Sequence, residues 1–172
     1  LYKEDGDYFL KSAPSPEIES ARGEKVSVPA FKVSDTYEVS SLLDNNEGAY
    51  EIEMTIKNSG ASKIVFSLLN DKGEKVYMYY NIPMKQFVMD RSESGQTDFS
   101  KDFPAITVAP VSDADNIRLR LFLDKSSIEA FGDDGKYVMT NRVFPSAPYN
   151  RIQFESVRGS FTVKSLHIYT LK

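Results

Sequence analysis

Apolar and polar residues alternate with a period of two in several parts of the chain. Between Tyr50 and Ile56 every second residue is apolar, and Glu51 and Glu53 fall between the apolar positions. This alternation predicts a half-buried β-strand with its glutamates on the outer face. The segment 64–69 is almost entirely apolar and predicts a strand that is buried on both faces.

Similar short patterns recur along the rest of the chain, separated by turn signals such as Gly-Asp-Asp-Gly at 132–135. We predict further strands over 76–80, 85–89, 117–123, 127–131, 136–140, 151–154 and 161–171. In the last of these, the inward parity changes between Val163 and Leu166, which predicts a β-bulge near Lys164 and Ser165. The pattern contains no long amphipathic helix, and it predicts an all-β sandwich or barrel.

The first 22 residues differ from the rest. Pro14 and Pro16 follow a short apolar segment and end any strand there. Pro16 is placed to open one helical turn that ends near Arg22 and Gly23, so we expect a linker. The chain starts with neither an initiator methionine nor a signal peptide, and we expect it to be a fragment of a longer protein.

Composition narrows the possible chemistry. Hydrophobic residues make up 41% of the 172 residues, the formal charge is −4, and cysteine is absent. The interspersed charges do not predict nucleic-acid binding, and no apolar run is long enough to predict a membrane helix. The single histidine, His167, excludes a histidine-rich metal site, and no glycine-rich phosphate loop is present. We therefore expect no metal and no cofactor.

Two segments carry a resemblance to a known family. The first, from Phe87, reads Phe-Val-Met-Asp-Arg-Ser, and the second, from Asp124, reads Asp-Lys-Ser-Ser-Ile-Glu-Ala-Phe and leads through an acidic hairpin to Phe144-Pro145. Their order and spacing resemble the C-terminal module of family 32 glycoside hydrolases, which include invertases, inulinases and levanases. The segment 16–22 is also similar to the inter-domain linker of that family, with Ala21 in place of the usual leucine.

The resemblance implies an antiparallel β-sandwich, a concanavalin- or lectin-like jelly roll, over 23–172. Residues 1–22 would form the inter-domain linker and the end of a catalytic five-bladed propeller, which is the implied partner. The parent enzyme would cleave β-fructosides such as levan, inulin or sucrose, and it would be secreted, periplasmic or bound to the cell surface. The catalytic motifs of the family contain tryptophan, cysteine or an Asp-Pro step, and this chain has none of these. We therefore predict no catalytic residue.

Three residues are candidates for carbohydrate binding. Asp90, Arg91 and Glu129 lie in the motifs that carry the resemblance, and related fructan-binding modules share the sandwich. Carboxylates accept hydrogen bonds from vicinal hydroxyls, and a guanidinium group donates several in a fixed geometry. The structural alternative is that Arg91 and Glu129 form a buried ion pair between two strands.

Other clusters have a structural and a functional interpretation. Tyr77, Tyr79 and Tyr80 are either a lectin-like aromatic platform or ordinary sandwich packing. Arg118 and Arg120 share one strand face, which we expect to be solvated, although contact with a propeller is the alternative.

The acidic positions favour structural roles. We expect Asp124 to cap a turn, and we expect Asp113 and Asp115, and separately Asp133 and Asp134, to stabilise turns rather than bind calcium. At the level of function, three hypotheses remain: a support module of a fructan hydrolase, a fructan-binding module, and a lectin-like domain of another lineage.

Overall fold

The computed structural model describes residues 1–39 and 47–172. Over these residues the chain forms strands with two short 3-10 helices, Pro16–Ala21 and Asp133–Gly135. The strands are β1 Tyr2–Glu4, β2 Asp7–Phe9, β3 Arg22–Val28, β4 Phe31–Val33, β5 Thr36–Val39, β6 Tyr50–Ser59, β7 Lys63–Leu69, β8 Lys75–Asn81, β9 Gln86–Asp90, β10 Ile106–Pro110, β11 Asn116–Asp124, β12 Ser127–Gly132, β13 Tyr137–Arg142, β14 Arg151–Val157 and β15 Ser160–Leu171.

Two antiparallel sheets enclose one hydrophobic core. The six-stranded sheet has the order β10-β9-β8-β7-β14-β5, and the seven-stranded sheet has the order β13-β12-β11-β6-β15-β3, with β4 also paired to β15. Phe66 and Phe87 of the first sheet and Ile52 and Leu121 of the second are all fully buried in this core. This arrangement confirms the predicted antiparallel β-sandwich.

Side-chain contacts join the two sheets inside the core. The hydroxyl groups of Tyr80 on β8 and Tyr137 on β13 lie 2.5 Å apart. The ring centroids of Phe87 and Tyr137 are 5.5 Å apart. Tyr80 therefore belongs to the core, whereas Tyr77 and Tyr79 alternate with core residues and face outward.

The alternating sequence pattern predicted the long strands but not the short ones. Strands β6 to β9 and β11 to β15 overlap the predicted ones, and the register of β15 shifts between Val163 and Ser165, as the predicted bulge requires. The helical turn predicted at Pro16 is the first 3-10 helix. The sequence did not predict β1 to β5 or β10, because these strands are short or lie at sheet edges where few positions are buried.

The N-terminal residues form a separate antiparallel hairpin of β1 and β2. Arg22, which the sequence assigned to the linker, is instead the first residue of β3 and pairs with Leu171 of β15. No helix in the described parts of the chain is long and apolar enough to cross a membrane.

Candidate functional site

A buried charge cluster lies on the outer face of the seven-stranded sheet. Glu51 of β6 is fully buried, although it points away from the core. Arg22 donates to both of its carboxylate oxygens, with Nε–Oε2 and Nη2–Oε1 distances of 2.8 and 2.6 Å. Nε of Arg120 also donates to Oε1 of Glu51. We call Glu51, Arg22, Arg120 and the neighbouring Glu53 the charge cluster.

Neighbouring strands bring these groups together. Glu53 of β6 lies opposite Arg120 of β11 and His167 of β15, and Glu51 lies opposite Phe122 of β11. The Arg22 guanidinium also lies 4.0 Å from the ring centroid of Tyr169 on β15, opposite Glu51. The side chains around Glu51 exclude water from the carboxylate, and the two arginines neutralise its charge.

The electrostatics of the cluster hold Glu51 ionised. Burial alone would raise the pKa of Glu51, but the hydrogen bonds from Arg22 and Arg120 outweigh burial and hold the pKa below its usual range. The same carboxylate raises the pKa of Arg22 above its usual value. A carboxyl group in this state is unsuited to general-acid chemistry, which needs a raised pKa.

A cleft of about 500 Å³ borders the charge cluster. Its lining includes Glu53, Arg120, Phe131 and His167 from the sheet and the segment 12–14 from the chain before the first 3-10 helix. The backbone N–H of Ser12 donates to the carbonyl of Gly135 at 3.1 Å, so the N-terminal segment is tied to the edge of this cleft.

The structure corrects two predictions about this face. Glu51 was expected on the exposed side of its strand but is fully buried, because Arg22 and Arg120 reach over the sheet to pair with it. Arg118 and Arg120 were both expected to be solvated. The Arg118 side chain is 60% exposed and pairs with Asp134, whereas the Arg120 side chain is only 23% exposed.

Asp90, Arg91 and Glu129 do not converge on one pocket. Asp90 faces outward from the six-stranded sheet, where its strand neighbours are Tyr77 and Ile106. Glu129 faces outward from the seven-stranded sheet, because Ile128 and Ala130 on either side of it belong to the core. The two carboxylates therefore lie on opposite faces of the sandwich, and carbohydrate binding by these residues stays a prediction.

Arg91 connects the ends of the two sheets. Its Nη1 donates to the carbonyl of Arg142 at 3.1 Å, and its guanidinium lies 4.4 Å from the ring centroid of Phe103. Within residues 1–39 and 47–172, Arg91 and Glu129 form no salt bridge with each other, so the structural alternative of an ion pair between these two residues is wrong.

The remaining acidic and histidine candidates have structural contacts. Asp124 accepts a hydrogen bond from the backbone N–H of Lys125, and Asp113 accepts from those of Asp115 and Asn116. No group of three or more metal-binding side chains occurs among the residues that the structure describes. Nδ1 of His167 lies 3.0 Å from the hydroxyl of Ser27.

Sequence reasoning missed the charge cluster because its members are far apart in the chain. The alternating pattern of β6 shows only that Glu51 faces away from the core. The one available signal was the pair of arginines at Arg118 and Arg120, which lie opposite Thr55 and Glu53 once β11 pairs with β6.

Comparison with known proteins identifies the kind of protein. The family model described as "Glycosyl hydrolases family 32 C terminal" matches residues 17–170. This match places the chain among the C-terminal domains of glycoside hydrolases. The chain belongs to the family 32 C-terminal domain family, which confirms the resemblance carried by the two sequence motifs.

Individual relatives agree with this family. A levanase from Bacillus sp. (strain L7) is 31% identical over 167 residues, which cover 95% of this chain and 18% of the levanase. A sucrose-6-phosphate hydrolase from Staphylococcus xylosus is 30% identical over 156 residues, which cover 90% of this chain and 30% of that protein. This chain therefore spans less than a third of the length of these two relatives.

A solved structure shows the same fold. The crystal structure of an exo-inulinase from Aspergillus awamori superimposes with a TM-score of 0.81 at 19% sequence identity. The match covers 98% of this chain and 34% of the inulinase chain.

Proposed function

We propose that this chain is the non-catalytic C-terminal module of a family 32 enzyme that hydrolyses β-fructosides such as levan, inulin or sucrose. In this proposal the module packs against the catalytic five-bladed propeller of the same chain and stabilises it. The names of the relatives, a levanase and a sucrose-6-phosphate hydrolase, support a β-fructoside as the substrate class. The small share of each relative that this chain covers supports an accessory role.

The observation that carries the proposal is an apolar surface on the N-terminal hairpin. Leu1, Tyr8 and Leu10 have exposed fractions of 81%, 67% and 81%, and Phe9 is also exposed. Large apolar side chains that remain exposed to water are typical of a surface that packs against a partner. We call these four residues the hairpin patch.

The hairpin patch is held in a fixed place on the sandwich. Nζ of Lys136 forms a salt bridge with Glu4 of β1 at 2.6 Å and lies 5.5 Å from the ring centroid of Tyr2. Together with the bond from Ser12 to Gly135, these contacts attach the hairpin to the edge of the seven-stranded sheet. A partner that binds the hairpin patch is thereby attached to the sandwich through these contacts.

The carboxylates beside the large cleft support a non-catalytic role. Retaining glycosidases need one ionised carboxylate and one carboxylic acid with a raised pKa. Here Glu53 accepts a hydrogen bond from Arg22 at 2.7 Å, and Asp134 pairs with Arg118 at 2.7 Å. Both carboxylates are therefore already engaged by arginine side chains.

The docking proposal can be tested in the full enzyme that carries this chain. We expect the double variant Tyr8→Ser/Leu10→Ser to lower the thermal inactivation temperature of the catalytic unit by several degrees, because burial of one Leu-sized side chain contributes about 1.5–3 kcal/mol. The matched control is Met84→Ser, which replaces a residue that is 62% exposed in the turn between β8 and β9.

The isolated 172-residue chain distinguishes docking from folding. The double variant should unfold at the same temperature as the unmodified chain, because both side chains are exposed in it. An unchanged inactivation temperature of the full enzyme, or an equal loss in the Met84→Ser control, contradicts docking through the hairpin patch.

We also propose that the parent enzyme is secreted, periplasmic or bound to the cell surface. Support comes from the size of levan and inulin, which are polymers that must be cut before uptake. Immunodetection of the enzyme in culture medium, periplasm and cytoplasm tests this, and recovery in the cytoplasm alone would contradict it.

A further inference from the structure

Two tyrosines form an aromatic surface on the outer face of the six-stranded sheet. The rings of Tyr77 and Tyr79 on β8 have centroids 5.3 Å apart and are tilted by 53°. Val65 of β7 and Val88 of β9 lie on either side of Tyr79 in the sheet and are only 1% and 3% exposed. We call Tyr77 and Tyr79 the tyrosine platform.

Polar groups border the platform on the side of Tyr77. Asp90 lies directly opposite Tyr77 on β9. A cleft of about 190 Å³ lies beside this pair, lined by Lys75, Tyr77, Asp90, Ser92 and Glu93. Oδ1 of Asp90 accepts a hydrogen bond from the backbone N–H of Ser92 at 2.9 Å, which fixes the orientation of the carboxylate.

The two tyrosines differ in their surroundings. Nζ of Lys63 lies 4.3 Å from the ring centroid of Tyr79 and covers one of its faces. Among the described residues, no lysine or arginine lies over the ring of Tyr77. Burial is the main cause that raises the pKa of Tyr77, and the carboxylates of Glu155 and Asp90 add to it. The Asp90 carboxylate lies on the neighbouring strand β9, and Glu155 lies on β14, beyond β7.

This combination of groups matches the chemistry of a sugar. The C–H faces of a sugar ring pack against aromatic rings, and its vicinal hydroxyls donate to carboxylates and accept from ammonium groups. The centre of a protein–protein interface is depleted in charged residues, whereas three of the five residues that line this cleft are charged. The small volume of the cleft suits a single sugar unit.

We propose that the tyrosine platform and its cleft bind a β-fructan chain, with one fructosyl unit stacked on Tyr77 and bonded to Asp90. The choice of fructan rests on the proposed function of the parent enzyme. The hairpin patch is attached to the seven-stranded sheet, so the platform stays accessible when the propeller docks there. The module then holds substrate near the catalytic domain and raises its local concentration.

Affinity electrophoresis of the 172-residue chain tests the proposal, with levan, inulin or dextran cast in the gel. We expect retardation in levan or inulin and not in dextran. Tyr77→Ala and Asp90→Asn should each raise the dissociation constant at least tenfold. Tyr77→Phe keeps the ring and should bind within about threefold of the unmodified chain. Tyr8→Ala, which removes an exposed aromatic ring from the hairpin patch, is the matched control and should bind normally.

The outcomes separate the two proposals. Absence of retardation in both fructans, or equal retardation of Tyr77→Ala and the unmodified chain, overturns the platform as a sugar site. Equal retardation in dextran overturns the assignment to fructan and weakens the proposed substrate class. Neither outcome changes the docking test on the hairpin patch, which reads the stability of the full enzyme. Circular dichroism of each variant shows that a loss of binding does not reflect unfolding.

Discussion

Replacement of Glu51 by alanine removes the buried carboxylate that pairs with both Arg22 and Arg120. Glu51 is fully buried and accepts three hydrogen bonds from these two guanidinium groups. Removal of one partner from a buried ion pair costs about 3–5 kcal/mol, because the remaining charge has lost both its partner and its water. Both arginines keep a contact with Glu53, at 2.7 and 3.6 Å, and their side chains are 21% and 23% exposed, so their charges stay partly compensated. We therefore expect a loss near the lower end, about 3 kcal/mol.

Urea unfolding followed by circular dichroism measures this loss. With an m-value of about 1–3 kcal/mol/M, the midpoint should fall by about 1–3 M while the m-value stays unchanged. The matched control is Glu53→Ala, two residues along the same strand. The Glu53 side chain is 33% exposed. We therefore expect Glu53→Ala to lower the free energy of unfolding by about 1 kcal/mol or less.

The pH dependence gives an independent check. Because the pKa of Glu51 is lowered in the folded state, its stabilisation is fully present above the unfolded pKa, near 4.5. It is lost as the pH falls through the lower folded pKa. The difference between the unmodified chain and Glu51→Ala should thus be largest at neutral pH and shrink below about pH 4.5. A penalty no larger than that of Glu53→Ala, or one that does not change with pH, would show that the ionised Glu51 carboxylate does not stabilise the fold.

Two further substitutions test buried polar groups. Tyr80→Phe leaves the Tyr137 hydroxyl without its partner and should cost about 1–2 kcal/mol in urea unfolding, while the double variant with Tyr137→Phe should recover most of this loss. Burial raises the pKa of Asp133, and Oδ2 of this residue is buried without a hydrogen-bond partner among the described residues. Ionised Asp133 therefore destabilises the fold: the loss of stability begins near the unfolded pKa of 3.8 and is complete above the higher folded pKa. Asp133→Asn should raise the melting temperature at pH 7 and give no gain below about pH 3.8. A gain that persists in acid would contradict this assignment.

The alternating pattern predicted the sandwich because the long strands are buried on one face. Strands such as β6 place alternate residues in the core, and this period of two is visible in the sequence alone. The change of parity in β15 also predicted the bulge after Val163. The short edge strands have no such signal, since β1, β2 and β10 bury few of their side chains.

The candidate site could not be predicted in the same way. Asp90 and Glu129 lie in neighbouring motifs of the sequence, but β9 and β12 belong to different sheets, so their side chains face opposite sides of the molecule. Conversely, Glu51, Arg22 and Arg120 meet only because β15 and β11 pair with β6, and β3 pairs with β15. The separation of Asp90 from Glu129 and the formation of the charge cluster both depend on which distant strands pair. A local sequence pattern carries no information on that pairing.

We infer that this chain supports a hydrolase without cleaving sugar bonds itself. The most direct measurement is the release of fructose from levan, inulin and sucrose by the purified 172-residue chain, at protein concentrations in large excess over those of an active family 32 enzyme. We expect no release above the buffer control with any of the three substrates. Release that rises in proportion to the concentration of the chain would contradict it.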